Sequence, residues 1–559
     1  MLKTSRVVTG SAKSRPISSM QNRYDAIVVG SGYGAGVAAA RLAQAGKSVV
    51  VLERGREIPV GSFPNTLSEG ARDFQADTPL GQIGESDALF DLRAHRDISV
   101  MVGCGLGGTS LINGNVMLEP ESRVFDDPSW PEAIRNDRED GLARAYDIAR
   151  QMLGSTAYPG SPELAKFSAL ALSAEALEGK ATYPPINVTF EDQAGTNAAG
   201  IDQPACTLCG DCCSGCNVGA KNTIALTYLE IAYAEGANIF TLCKAVEIIP
   251  GQSGANWDVV FEYSEAGKEP STRKVSADMV ICGAGTLGST ELLLRSSEAG
   301  LDVSPKLGHA FSGNGDVIAF GYNNDVQING IGVGDEADRS PSPVGPVIAG
   351  LIDLRNDGPL DENIVIQEGA LPSLLAPILP ALFSTTSPIF GNDTDSGDFL
   401  SENARTLESL ARGAYRGAVN NTQTYLVMAH DDGDGSMHLS GGKLQLNWPE
   451  AGKKAVFDRI DKSLNIATKA TGGTYIPNPM WSDFLGKNLI SVHPLGGCAM
   501  GGSSESGVVD HRCRVFDGNG GFHEGLYVMD GAIIPRSLGA NPALTITALA
   551  ERAMELLLY

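Results

Sequence analysis

A chain of 559 residues, 42% hydrophobic and 19% charged, exceeds the usual size of one domain, so two or more domains around a large buried core are expected. The formal net charge of −24 argues against nucleic acid or an anionic membrane as partner, since both are bound through clustered Lys and Arg; a small or neutral substrate fits better. No run reaches the roughly 20 apolar residues of a membrane-spanning helix, and the nearest, Leu371–Phe383, is short and broken by three prolines.

In chain order, the first 23 residues hold five basic and no acidic side chains but no continuous apolar segment of an export signal, and read as a flexible tail. Residues 24–29 (YDAIVV) read as a buried parallel strand. The strand runs into Gly30-Ser31-Gly32-Tyr33-Gly34-Ala35-Gly36, an alanine-rich helix pattern ending on Gly46, and a second strand, SVVVLE, ending on Glu53. The fingerprint Gly30-x-Gly32-x-x-Ala35, with an acid 23 residues after Gly30, predicts a dinucleotide site. Gly30 makes the tight turn, Gly32 admits the pyrophosphate to the backbone, Ala35 lets helix and strand approach, and Glu53 can accept from a ribose hydroxyl. The fingerprint leaves NAD and FAD both open.

Val102 to Asn115 is too rich in glycine for a helix or central strand and predicts a loop pressed against something flat or charged. Five of the ten cysteines fall within 206–216, as in a metal or redox cluster rather than a spread disulfide framework. Cys206, Cys209, Cys212 and Cys216 follow C-x2-C-x2-C-x3-C, the spacing of bacterial ferredoxin loops, with Cys213 extra and Asn217 where proline is usual. Such soft ligands restrict the metal to Fe–S, zinc or Cu(I); an Fe–S cluster is the preferred reading, a zinc knot or reduced thiols the alternatives. With no export signal, a reducing cytoplasm is the expected setting. Val280 to Thr290 again runs strand, glycine turn, helix, and reads as the last parallel strand of the sheet beside the cofactor.

Joined to His493-Pro494-Leu495-Gly496-Gly497-Cys498-Ala499-Met500-Gly501 and to Asp530-Gly531-Ala532-Ile533-Ile534-Pro535 with Asn541-Pro542-Ala543-Leu544, these segments resemble the glucose–methanol–choline (GMC) oxidoreductases. The likeness is greatest to the cholesterol oxidase branch and runs in matching order from Tyr24 to the C-terminal helix. It implies an α/β fold: a Rossmann-like FAD-binding domain assembled from the discontinuous segments 24–125, 205–320 and 485–559, plus an α+β substrate-binding domain from 126–204 and 321–484. It further implies FAD as cofactor, hydride taken from an alcohol carbon to leave a carbonyl, Gly107, Gly108, Asn113 and Gly114 at the flavin, and Asp530 near the ribityl-phosphate region.

His493 matches the family's active-site histidine. Asn541 precedes a helical pattern, so its carboxamide can hydrogen-bond the reacting face or cap the helix. Glu368 ends an apolar strand-like run about where cholesterol oxidase-like members carry a catalytic glutamate; an exposed strand-end Glu is the alternative reading. The Leu371–Phe383 stretch reads as a lid or lining for a bulky apolar alcohol, or as ordinary core. The expected activity is FAD-dependent oxidation of a hydrophobic, sterol-like alcohol, with oxygen, a quinone or a redox protein as acceptor. The cysteine run, which most cholesterol oxidases lack, leaves that acceptor open. The rival readings are a flavin and Fe–S electron-transfer module and a non-redox lyase or decarboxylase; the presence of both His493 and Asn541 speaks against the latter.

Overall fold

The computed structural model describes residues 12–78, 81–191, 197–251, 254–265, 268–334, 343–395, 398–482 and 486–559. Its first sheet grows from the β-branched strand Arg23–Val29, whose last four residues are fully buried. That strand pairs in parallel with Val49–Leu52 on one side and with Ser271–Cys282 on the other. Asn238–Phe240 and Phe522–Val528 extend the parallel order at the two flanks. The C-terminal ends of Arg23–Val29, Ser271–Cys282 and Phe522–Val528, and the whole of Val49–Leu52, are buried and run apolar without polar alternation, whereas the N-terminal parts of the longer strands carry exposed polar residues. The segment around Val280 is therefore a parallel neighbour of the first strand as expected, but not the last of the set: Phe522–Val528 lies beyond it.

The helix Tyr33–Gln44 covers one face of this sheet and is buried along almost its whole length, which its small side chains Gly34, Ala35, Gly36 and Ala38–Ala40 permit. The C-terminal helix Ala543–Leu558 packs against it, with Arg41 and Glu551 joined at 2.7 Å.

A second sheet, with Val317–Tyr322, Ile364–Gly369 and Gln423–Ala429 at its centre, is antiparallel and takes its strands from residues 181–182 and 317–476. A third sheet is not foreshadowed in the sequence: Leu489–Ser491, Ile98–Gly103, Phe90–Ala94, Phe74–Thr78 and Gly81–Ile83. Among the described residues no helix is long and apolar enough to cross a membrane.

The expected flexible tail needs correction where it can be seen. Residues 1–11 lie outside the described residues, but Lys13 is buried and pairs with Glu230 at 2.8 Å. The backbone N–H groups of Lys13 and Ser14 donate to the Glu57 carboxylate, and Arg15 N–H to Ile239 O. Basic charge suggested a solvated arm; its acidic partners, distant in sequence, bind it to the sheet instead.

Candidate functional site

A cavity of about 480 Å3 opens where the first sheet meets the second. Val29, Leu52 and the turn after Cys282 bring the carboxyl ends of three parallel strands to it, the location that parallel open sheets favour for ligands. Ile318, Thr424 and Leu426 reach it from the second sheet, and Met101 and Val102 from the third.

Most of the expected cofactor residues meet here. Gly30, Gly32, Glu53, Gly108, Asn113, Gly114 and Asp530 all line the cavity, whereas Ala35 and Gly107 lie behind its wall. Gly32 has open space where a Cβ would stand, leaving its backbone bare to the cavity. At Gly30 the requirement is internal: φ is +88°, and a Cβ would fall 2.3 Å from the Gly283 carbonyl oxygen. Ala35 serves packing, since a Cβ on Gly283 would come within 2.6 Å of its own Cβ. A Gly30→Ala variant is expected to purify with little cofactor and to melt at lower temperature, as read from the flavin-to-protein absorbance ratio and a thermal scan.

The carboxyls of the site are held rather than free. Glu53 accepts from Ser31 Oγ at 2.5 Å and Gly55 N–H at 2.7 Å, and burial raises its pKa above the ordinary value. Asp530 accepts from Gly285 N–H, Ser289 Oγ and Ala532 N–H, and burial pushes its pKa up to about 6. Asn113 donates from Nδ2 to the Tyr33 hydroxyl at 2.7 Å, while its Oδ1 is buried without a partner. Asn115, fully buried with φ +73°, leaves both side-chain polar atoms unpartnered against the same cavity. Orphaned buried polar atoms are costly, so three of them beside a bare glycine turn fit a polar ligand such as a dinucleotide. Tyr33 and Asn115 were not singled out in the sequence, although both sit inside the glycine segments that were.

His493 and Asn541 line the same cavity. His493 Nδ1 lies 2.8 Å from Asp316 Oδ1, and among the described residues its Nε2 has no protein hydrogen bond. Asn541 accepts through Oδ1 from Gln367 Nε2 at 2.6 Å, and its Nδ2 faces Gln367 Oε1 and Met428 Sδ. It does not cap the following helix, whose N-cap position is Pro542 with no side-chain cap. Pro542, Ala543 and Ile546 nonetheless bring that helix start to the cavity wall, where its N–H dipoles favour negative charge. Asp316 and Gln367 carry no motif that would mark them: each is an ordinary polar residue joined to its partner across the fold.

Glu368 does not belong to this constellation. Its side chain is fully buried and pairs with the equally buried Lys166 at 2.6 Å. Its other oxygen accepts from the Ala349 and Gly350 N–H groups. Along a strand, successive side chains point to opposite faces, so with Gly369 on the cavity and Gln367 on Asn541, Glu368 faces the helix Ala165–Ala176 that carries Lys166. The expected base is thus half of an internal ion pair that fixes the segment bearing Val347 and Ile348, which line the cavity. Glu368→Gln is expected to cost about 3 kcal/mol of stability by leaving Lys166 unmatched. The folded fraction should keep its rate of flavin reduction; loss of rate with stability intact would restore the catalytic reading.

The Leu371–Phe383 stretch likewise lies off the cavity. Leu379 and Phe383 pack with Tyr322, Ile331 and Ile476 in a separate cluster, while Ile378 and Leu382 face solvent.

Cys206, Cys209, Cys212 and Cys216 converge on one small pocket. All ten cysteines are free thiols. Burial pushes the thiols of Cys206, Cys209 and Cys216 above their ordinary pKa, with repulsion from neighbouring cysteines adding to it. Among the described residues no three of these sulfurs lie mutually within 4.8 Å. The Leu208 N–H donates to Cys206 Sγ at 3.4 Å, and backbone N–H groups of Asp211 and Gly219 bond the sulfurs of Cys209 and Cys216. Cys213 turns the other way and lines the large cavity. The buried Lys221 ties the two sites together, donating to the carbonyls of Asn113, Leu111 and Cys212 at 2.8, 3.2 and 3.2 Å.

Sequence likeness to known proteins runs through most of the chain. A GMC oxidoreductase N-terminal family model matches residues 24–312, and its C-terminal counterpart residues 447–550. A cholesterol oxidase of Acinetobacter baumannii is 27% identical over 95% of this chain and 94% of its own. A long-chain-alcohol oxidase of Arabidopsis thaliana is 25% identical over 94% of this chain and 66% of its own. Among solved structures, pyridoxine 4-oxidase from Mesorbium loti superposes with a TM-score of 0.60 at 16% identity, covering 95% of this chain and 98% of that one. A fungal aryl-alcohol oxidase gives 0.57 at 16% identity, covering 96% and 99%.

Proposed function

Because this chain belongs to the GMC oxidoreductase family, and is thereby an FAD-dependent alcohol oxidase or dehydrogenase, we propose that it oxidises a hydrophobic, sterol-like or long-chain alcohol to a carbonyl at the His493–Asn541 face of the cavity. The observation that carries the reading is that His493 and Asn541 share one cavity with the dinucleotide turn. Gly30, Gly32, Glu53, Gly108, Asn113, Gly114 and Asp530 would hold FAD, which when bound takes the hydride leaving the alcohol carbon. His493 receives the hydroxyl proton on Nε2. Asn541, fixed by Gln367, orients the alcohol oxygen, and the start of the helix Ala543–Leu558 directs N–H groups at developing negative charge. Met101, Val102, Ile348 and Leu426 give the substrate an apolar wall. The names of the similar proteins, a cholesterol oxidase and a long-chain-alcohol oxidase, support an apolar substrate. A shared cavity with two polar groups on the reacting face disfavours a pure electron-transfer module.

The proposal extends to the cysteine loop, which we assign to an Fe–S cluster held by Cys206, Cys209, Cys212 and Cys216. The C-x2-C-x2-C-x3-C spacing and the convergence of all four cysteines on one pocket support the assignment. The N–H groups aimed at the sulfurs suit a cluster's charge. Such a cluster would give electrons a one-electron exit to a quinone or redox protein, with oxygen the acceptor if it is absent. The unpaired thiols support a reducing cytoplasm as the setting.

The test is anaerobic mixing of purified holoprotein with a sterol, a long-chain primary alcohol and a short polar alcohol in separate runs. Bleaching of the flavin by the first or second, with the matching carbonyl found by mass spectrometry, is the expected result. Bleaching by the short alcohol alone would refute the substrate class.

A further inference from the structure

We propose that Asp316 is the positioning residue of this site: its carboxylate holds His493 as the Nδ1–H tautomer, so that Nε2 meets the cavity without a proton and is free to accept one. The inference rests on the reading of His493 as the proton acceptor.

Asp316 ends the turn Ser312–Asp316 and is almost wholly buried, its side chain 1% exposed. Its two oxygens have separate duties. Oδ2 accepts from Ser491 Oγ at 2.9 Å and from the N–H groups of Val492 and His493 at 2.9 and 3.0 Å. Oδ1 is left to face His493 Nδ1 at 2.8 Å. A carboxylate has no proton to give, so the shared proton must sit on Nδ1, and a neutral imidazole then leaves Nε2 bare. An imidazole of the opposite tautomer would carry its proton on Nε2, where the substrate hydroxyl must deliver one.

The same turn also braces the opposite catalytic loop. Asn314, at φ +59°, donates from Nδ2 to the Ala540 carbonyl and accepts at Oδ1 from the Leu538 N–H, both at 2.8 Å, just ahead of Asn541. Ser312 and Leu495 exchange backbone hydrogen bonds beyond His493. One short turn thus sets the spacing of His493 and Asn541, and within it only Asp316 dictates where a proton lies.

Asp316→Asn separates these duties. The carboxamide oxygen can go on accepting from the backbone donors, while its NH2 group would face Nδ1 and demand an acceptor there. The imidazole proton would then move to Nε2, with the fold preserved.

The experiment is 15N NMR of histidine-labelled holoprotein, which has seven histidines, with the His493 signals assigned by their loss in His493→Gln. The wild type should show the Nδ1–H tautomer and Asp316→Asn the Nε2–H tautomer. In anaerobic stopped flow, Asp316→Asn should slow flavin reduction by about 10²–10⁴-fold with FAD still bound. Added to His493→Gln, it should slow the reaction no further. An Nε2–H tautomer in the wild type, a tautomer unmoved in Asp316→Asn, or equal slowing by Asp316→Asn with and without His493 would each overturn the proposal. The wild-type spectrum decides even if the variant does not fold. Failure of every alcohol to reduce the wild-type flavin would defeat the functional reading, yet the tautomer would still be measured.

Discussion

Replacing His493 with glutamine is expected to slow anaerobic reduction of the flavin by alcohol about 10²–10⁴-fold, the range typical of a lost general base, while the cofactor stays bound. The histidine touches the cavity at one edge and is anchored through Nδ1 and its own N–H to Asp316, so its removal takes away a proton acceptor but no part of the glycine turns. The loss should appear in the limiting rate at saturating alcohol, because proton acceptance matters most as the C–H bond breaks. Loss of the flavin on purification would show instead that His493 supports the cofactor site. Stopped-flow absorbance together with the flavin-to-protein ratio separates the two outcomes.

Cys209→Ser should abolish bound iron and acid-labile sulfide, or reduce them to a minor fraction, with the flavin retained. Serine is close in size but lacks the soft sulfur that a cluster requires, and the four cysteines line a pocket set apart from the cofactor turns. Steady-state turnover with a one-electron acceptor should fall far more than flavin reduction in a single turnover. Zinc found in the wild type in place of iron and sulfide would contradict the cluster assignment. Cys213→Ser is the matched control, since Cys213 faces the large cavity and should leave the iron in place.

The dinucleotide half of the site was legible because its physics is local. Gly30, Gly32 and Glu53 lie within one strand–turn–helix–strand unit, and at Gly30 the backbone angle and the close approach of the Gly283 carbonyl admit only glycine. His493 and Asn541 stood out through the motifs around them. Their partners did not: Asp316 is 177 residues from His493, and Gln367 is 174 from Asn541. Neither stands in a pattern, and only the meeting of two sheets joins them to His493 and Asn541. Glu368 shows the converse. Its sequence setting resembled that of a catalytic base, but the residue deciding its role, Lys166, is 202 positions away, and strand alternation turns the neighbouring Gln367 toward Asn541 instead. The basic N-terminal segment was misread for the same reason, since Glu57 and Glu230, which hold it down, are remote in sequence.

The central claim is that hydride leaves an alcohol carbon at the His493–Asn541 face. It is tested most directly by anaerobic single-turnover reduction of the flavin with a hydrophobic alcohol carrying deuterium on the carbinol carbon, set against the unlabelled alcohol. Severalfold slower bleaching with the deuterated substrate, abolished when the deuterium is placed elsewhere in the molecule, is the predicted result. Flavin reduction at the same rate with both, or no reduction by any alcohol, would contradict it.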